Sequence, residues 1–412
     1  MEEPAGLPAR RAALRLIDAV LRRGETLEAA APSACTGLAG PDRALARALA
    51  AESLRWMVDL DALIDSATAQ PLPADAKAKS VLRLMLAGWL RLETPPHAVV
   101  ATALPLLMGG PKRLAHGVFA TLTRAGATLP AAPTLPEAVR ARWGDDAIAA
   151  ALAVPPPLDL ALRDAGETAV WAERLGGVSL APGHVRLARG GAVEELAGYA
   201  EGAWWVQDLA ATLPVRLLGT GAGRALDLCA APGGKTMQLA AAGWAVTALD
   251  LSEKRLARVG ENLARVGLTA TCVAADARTW QADGLYDAVL LDAPCTATGT
   301  CRRHPDVLHR IGARQIGEMA AIQLGLLTRA AGLVAPGGRL VYAVCSLERA
   351  EGEDLVAGFD AGAHGLVAEP VTADELPAGL ASDAAGWLRT TPAMLADAGG
   401  LDGFFVARWK KV

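Results

Sequence analysis

Between residues 220 and 346, strand-like and helix-like runs alternate so regularly that few folds remain open to the chain. The run "ALDLC" (225–229) leads through a Gly-rich turn to the helix "KTMQLAAA" (235–242). "AVTALD" (245–250) is followed by the helix "SEKRLARVGENLARVG" (252–267), with Ser252 as its expected cap. "ATCVAAD" (270–276) and "YDAVLLD" (286–292) read as strands, a helix follows at about 312–331, and "RLVYAVCS" (339–346) closes the series. Strands separated by helices of this length are joined by crossovers, so the expected fold class is α/β with a parallel, doubly wound sheet. Two late segments, "LVAEPV" (366–371) and "GFFVARW" (403–409), are expected to add an antiparallel pair.

Upstream the pattern changes. From residue 9 to about 125 it is helical without strand signals, with helices expected at 42–65, 76–92 and 97–108. In "ARRAALRLIDAVLRR", Leu14, Ile17 and Leu21 form an apolar stripe, while Arg11, Arg15, Asp18 and Arg22 share another face. That face is either solvated and internally ion-paired or a surface for an RNA backbone. Pro130, Pro133 and Pro136 each bar helix continuation and mark a linker. Residues 137–215 are mixed, with short strands expected at "HVRLA" (184–188) and "AWWVQD" (203–208). A chain of 412 residues is too long for one core. The expected division is an all-helical domain over 1–130, a small α/β segment over 137–215 and the sheet domain over 216–412.

Cysteine usage and hydropathy narrow the setting. The six cysteines, Cys35, Cys229, Cys272, Cys295, Cys301 and Cys345, form no Cys-x-x-Cys pair and no dense framework, which argues for a reducing cytosol. Cys35 and Cys272 read as small buried apolar residues. The start "MEEPAGLPARRAALRLIDAV" is acidic and interrupted by charge, unlike a leader or an anchor, and no apolar run reaches membrane-span length. Net charge is -4, which gives no support for a nucleic-acid partner, although residues 1–130 hold 15 Lys/Arg against 12 Asp/Glu. Cys295, Cys301, His304 and His309 run close together, but Cys301 and His304 are too near for a zinc-finger spacing, and no metal is expected.

In open α/β sheets, ligands bind beyond the carboxyl ends of the strands. The turn "CAAPGGK", comprising Cys229, Ala230, Ala231, Pro232, Gly233, Gly234 and Lys235, lies at such an end, and its glycines admit close backbone approach. Asp250 ends the next strand, where an acid can hold both hydroxyls of a ribose. Asp276 ends the one after and can accept from an adenine amino group. A P-loop ATPase is the rival reading of "APGGKT", but the first glycine of that pattern would fall on Cys229.

Cys295 and Cys345 both follow strand ends on the ligand side. A thiol needs activation to react, since an unperturbed one with pKa near 8.5 is only about 3% thiolate at pH 7. Beside a bound methyl donor, the fitting chemistry is methylation of a pyrimidine carbon. A thiolate adds to C6 of cytosine and makes C5 nucleophilic, a carboxyl near N3 stabilises the adduct, and a second thiol assists release. Asp292, Cys295 and Cys345 supply those groups.

The stretches "LDLCAAPGGKT", "LLDAPCTATGTCRRHPD" and "YAVCSLE" resemble three separate motifs of the RsmB (Sun/Fmu) family of RNA cytosine-5 methyltransferases, and the resemblance covers nearly the whole chain. It implies a NusB-like RNA-binding helical domain, a small α/β segment and a Rossmann-like domain that uses S-adenosyl-L-methionine. It further implies Cys345 as nucleophile and Cys295 as the thiol that helps release product. Residues 229–235, Asp250, Asp276 and Asp292 are the implied cofactor contacts, Lys235 serving cofactor and catalytic pocket together. The implied partner is ribosomal RNA, free or in an assembling small subunit, acted on by a cytoplasmic monomer. Another RNA such as tRNA, or a non-catalytic antitermination-type factor, are the alternatives. Arg302, Arg303 and His304 are expected to hold the RNA backbone or to be plain surface charge. Val344 stands where the family usually has Thr, Thr296 where Ser is common, and Cys301 is an extra thiol. The Asn of the family's "VNAVLR" is Phe119, and its Arg-x-Asn is missing from "PPPLDLALRD".

Overall fold

The computed structural model describes residues 4–144, 146–188 and 192–412. The acidic opening at Glu2 and Glu3 lies outside them, as do residues 145 and 189–191 of the mixed segment. The chain divides into two compact units, one running to Val154 and including Cys301–Ile311, the other formed by Pro155–Thr300 and Gly312–Val412.

The first unit is helical: α1 (Leu7–Arg23), α2 (Leu27–Ala34), α3 (Gly40–Arg55), α4 (Met57–Ser66), α5 (Lys77–Leu90), α6 (Pro96–Ala103), α7 (Gly109–Arg124), α8 (Glu137–Trp143) and α9 (Asp146–Leu152). The apolar stripe of α1 puts Leu14 and Ile17 in the core, while Asp18 and Arg22 pair at 3.4 Å on the outer face. The single helix expected over 42–65 is broken at Trp56, whose φ of -102° and ψ of 14° end α3. Trp56 is buried, with the Arg91 guanidinium 4.7 Å above its ring, so tertiary packing overrides helix propensity there. The Pro-rich stretch is anchored: Asp59 accepts bonds from Thr134 N (2.8 Å) and Thr134 Oγ1 (2.7 Å), and Leu135 is buried.

In the second unit, β1 (Leu158–Leu162) lies between β2 (His184–Leu187) and β3 (Trp204–Val206) in an antiparallel sheet, with α10 (Thr168–Leu175) between β1 and β2 in the chain. Asp159 of β1 is buried and accepts two 2.7 Å bonds from Arg186 and one of 3.0 Å from Leu209 N. The Leu209 bond ties the small sheet to α11 (Leu209–Arg216). Burial would raise the carboxyl's pKa, but the hydrogen bonds and charges of Arg186 and His184 outweigh it and hold it low.

The large sheet takes β4 (Arg224–Leu228), β5 (Ala245–Asp250), β6 (Thr271–Ala274), β7 (Tyr286–Asp292) and β8 (Val334–Val344) as parallel strands. Between them run α12 (Gly234–Ala241), α13 (Glu253–Val266), α14 (Val307–Arg310), which belongs to the first unit, and α15 (Ala313–Ala331). Ser252 caps α13 by accepting from Arg255 N at 3.3 Å. After α16 (Glu353–Ala357) come β9 (Leu366–Ala368), β10 (Leu388–Thr390) and β11 (Phe404–Lys411). Spatial order is β10-β11-β8-β7-β4-β5-β6, and β9 pairs antiparallel with β11 as the sequence suggests. The chain moves outward from β4 to β6 and then returns to β7 on the other side of β4. That reversal opens a crevice beyond the ends of β4 and β7.

Phe119, the residue in place of the family's Asn, is in the helical core with its ring edge-on to Trp89 at 5.8 Å. Phe119→Ala should therefore destabilise the first unit by about 3–5 kcal/mol in denaturant unfolding. Cofactor affinity of the second unit should not change in titration of the same protein.

Candidate active site

The turn after β4 is shaped by its backbone. Cys229 adopts φ 64°, the Ala231–Pro232 bond is cis, and Gly233 at φ 103° starts α12. A side chain at Gly233 would also meet Val259 at 3.0 Å, so glycine is required there for two reasons. Ala231 N donates to Asp250 Oδ2 (3.1 Å) and Ser252 N to Asp250 Oδ1 (3.0 Å). The acid at the end of β5 is thereby fixed with lone pairs to spare. Arg255 donates to Ala231 O at 2.7 Å and stands 3.6 Å from Asp250 Oδ2. Asp276 lies past β6, which ends at Ala274, and the Arg278 side chain grips it at 2.6–3.1 Å. The Arg278 hydrogen bonds hold that carboxyl down at about 2.

A cavity of about 610 Å³ joins these residues to the thiols, lined by Cys229, Asp250, Asp276, Asp292, Cys295 and Cys345. Sequence reading did not identify its apolar walls, which include Leu251, Ala277, Ile322 and Leu326. Leu251 is 73% exposed and Ile322 42%. The available signal was weak: an apolar residue directly after the acid of β5.

The Sγ atoms of Cys295 and Cys345 are 3.3 Å apart, although the residues are 50 positions apart in the chain. Hydrogen bonding to Cys345, burial, and the Cys345 and Glu351 charges push the Cys295 thiol well above its ordinary pKa. Burial chiefly, aided by neighbouring carboxylates, pushes Cys229 up to about 12 and makes it inert. Lys235 Nζ donates to Asp292 Oδ2 at 2.7 Å and lies 5.2 Å from the centre of the Phe404 ring. Burial lowers the Lys235 pKa, but the Asp292 charge and hydrogen bond outweigh it and the net shift is upward. Gly299 N donates to Cys345 O at 3.0 Å, and a Cβ at Gly299 would fall 1.9 Å from Gly403 O. Only glycine permits that approach to Gly403, just before β11, while the bond to Cys345 O holds the loop after Cys295 against the end of β8.

Several expected positions land elsewhere. Cys272 is exposed, not buried, because β6 is an edge strand. Arg302 is 1% exposed, so it is not surface charge, and its carbonyl accepts from Arg55 Nη2 at 3.0 Å within the first unit. Cys301 is buried in that unit, and His304 and His309 are half-buried there, their pKa values lowered by desolvation. Among the described residues, no group of three or more His, Cys, Asp or Glu could hold a metal ion. None of the described helices is long and apolar enough to cross a membrane.

Residues 217–410 match the family described as 16S rRNA methyltransferase RsmB/F, and residues 7–108 match the NusB family. The Ribosomal RNA small subunit methyltransferase B of Pseudomonas putida is 35% identical over 438 residues, covering 98% of this chain and 98% of that protein. The chain belongs to the RsmB/F family. The Klebsiella pneumoniae protein of the same name is 33% identical over 383 residues, covering 84% of this chain and 88% of its own length. Two solved structures share the fold. PH0851 has a TM-score of 0.72 at 22% identity, with all of both chains covered. NSun6 from Pyrococcus horikoshii, solved with SFG, has a TM-score of 0.57 at 19% identity, covering 67% of this chain and 98% of that one.

As a member of this family the chain is an S-adenosyl-L-methionine-dependent methyltransferase. The cavity suits that group: its volume lies within the range of small-molecule sites, its walls offer apolar faces, and its carboxylates suit hydroxyls and a cationic sulfonium.

Asp227 on β4, which the sequence reading passed over, is fully buried beneath the site and accepts from Thr236 Oγ1 at 2.6 Å. Burial raises its pKa to about 7, against the opposing Thr236 hydrogen bond. A carboxyl raised in the folded state contributes stability that is fully present below its unfolded pKa near 4 and is lost as pH rises through 7. Asp227→Asn should remove that slope. In urea unfolding its stability relative to the parent should climb by several kcal/mol between pH 4 and pH 8, at about 1.4 kcal/mol for each pH step between the unfolded and folded pKa values.

Proposed function

We propose that the chain transfers a methyl group from S-adenosyl-L-methionine to C5 of a cytosine in small-subunit (16S) ribosomal RNA, through a covalent Cys345 adduct at C6. The contact between the Cys345 and Cys295 sulfurs at the rim of the cofactor cavity carries this reading. The bound cofactor supplies an electrophilic methyl group. Cys345 is the sulfur that adds to C6, its own proton passing to N3, with the Cys295 thiol beside it as the protonated partner. Asp292, anchored by Lys235, stabilises the adduct at N3. After methyl transfer the C5 proton leaves to solvent and its electron pair expels the Cys345 sulfur from C6, a step that the Cys295 thiol assists by hydrogen-bonding to the departing sulfur. Asp250 holds the ribose hydroxyls of the cofactor and Asp276 its adenine amino group, with residues 229–235 forming the floor.

The target base must be unstacked for a thiol to reach C6, which favours loops and single strands. RNA, free or in an assembling particle, is bound by the NusB-like part, residues 1–130, and methylated by the methyltransferase part, residues 216–412, the small α/β segment being residues 137–215. The enzyme works as a monomer in the cytoplasm. Names of the curated relatives support the ribosomal substrate.

Bisulfite sequencing of total RNA from cells with and without the gene tests the substrate. One protected cytosine in the small-subunit RNA should disappear with the gene, and a change confined to tRNA would overturn the ribosomal assignment. Cys345→Ala should abolish methylation, whereas Cys295→Ala should accumulate a heat-stable protein–RNA adduct on denaturing gels. Asp250→Ala should weaken cofactor binding by about 10- to 100-fold in calorimetry, as loss of charge-assisted hydrogen bonds predicts.

A further inference from the structure

Glu351 is fully buried, and its carboxylate gathers donors from both thiol-bearing segments. Oε1 accepts from Thr296 N (2.9 Å) and from Gln323 Nε2 (3.0 Å). Oε2 accepts from the hydroxyls of Thr296 and Ser346. Thr296 follows Cys295 and Ser346 follows Cys345, so one carboxylate bridges the residue after each thiol. The same Gln323 nitrogen donates to Pro294 O at 2.8 Å, fixing the residue before Cys295 as well. Thr298 completes the lattice, its hydroxyl 3.1 Å from Ser346 Oγ and accepting from Leu347 N at 3.0 Å. Tyr342 OH donates to Glu351 O at 2.6 Å, anchoring the residue at its own main chain.

Four donors converging on one buried point require a group with acceptor sites only, which a carboxylate provides. Burying such a charge is costly unless it is fully hydrogen-bonded, and these four bonds satisfy it. Glu351 is not among the residues lining the cavity, and its carboxylate contacts are the backbone and hydroxyls that flank the two sulfurs, together with the Gln323 amide. A displacement of about 1 Å at a reacting group can lower a rate 10²-fold.

We propose that Glu351 is the positioning residue that holds the Cys295 and Cys345 segments together, so that addition by one thiol and release by the other occur within one geometry. The proposal rests on the roles given to Cys345 and Cys295 above. It extends them to a residue outside the reacting shell, where reach rather than charge is what counts. Asp keeps the charge but is one methylene too short to span the two segments. Gln keeps the reach, and its amide nitrogen can occupy the Oε2 position because the Thr296 and Ser346 hydroxyls can turn to accept.

Full-length Glu351→Asp and Glu351→Gln proteins test this with three readouts. The first is the single-turnover methylation rate on an in-vitro small-subunit RNA transcript, and the second is affinity for S-adenosyl-homocysteine. The third is the rate at which diamide, which takes up two electrons and two protons, joins Cys295 to Cys345, located by peptide mapping. Glu351→Asp should lose about 100-fold in methylation rate and at least 10-fold in cross-linking rate, with affinity within about threefold of the parent. Glu351→Gln should stay within about tenfold of the parent in all three. The proposal is overturned if the Asp protein matches the parent, if the Gln protein is as impaired as the Asp protein, or if cofactor affinity falls in step with both rates. Cross-linking needs no RNA. A parent that cross-links but does not methylate would therefore remove the proposed function while leaving the positioning role open to direct measurement.

Discussion

Parallel pairing of β7 with β8, in the register that sets Asp292 beside Ala343, is the constraint on which the site depends. Because the strands run the same way, the residues that follow them leave at the same edge of the sheet. That edge adjoins the point beside β4 where strand order reverses. Cys295 and Cys345 are therefore close for a topological reason, and a one-residue slip would send each side chain to the opposite face. Strand pairing alone leaves the two loops free to diverge. The bond from Gly299 N to Cys345 O and the Glu351 lattice hold them at the observed separation.

Charge along this edge is carried by three separately held carboxylates, above a buried Asp227 whose Oδ1 has no hydrogen-bond partner. Asp227 is buried under the turn, Asp250 is held by backbone amides, Asp276 by Arg278 and Asp292 by Lys235. Each pairing leaves a different group facing the cavity. Together they make an acidic rim suited to a cationic methyl donor. The apolar walls at Leu251 and Ile322 complete a surface with the mixed character of a nucleoside site.

Much of this was legible in the sequence because buried parallel strands are nearly continuous apolar runs with acids at their ends. The ranges read for β5 and β7 agree with the structure, and Ser252 caps α13 as its chemistry suggested. What escaped reading depends on contacts distant in the chain. β10 is three residues long and draws its order from β11, while β1 follows a proline run that masks it. Trp56 interrupts a strongly helical stretch because its ring is buried under Arg91. Arg302 reads as a surface cation, yet Cys301–Ile311 packs within the helical unit. Glu351 sits in the polar run "LERAEGED", where nothing local separates it from the exposed Arg349 and Asp354. It is marked only in the fold, where three donors from Thr296 and Gln323 join the Ser346 hydroxyl from just upstream.

The central claim is that the sulfur of residue 345 bonds to the target base while its neighbour at 295 keeps a proton. Mass-spectrometric mapping of the protein trapped on a small-subunit RNA containing 5-fluorocytidine, with cofactor present, tests it most directly. A single cross-linked peptide carrying the nucleotide on Cys345 is the predicted result, and a nucleotide attached to Cys295, or no covalent product from active protein, would contradict the account.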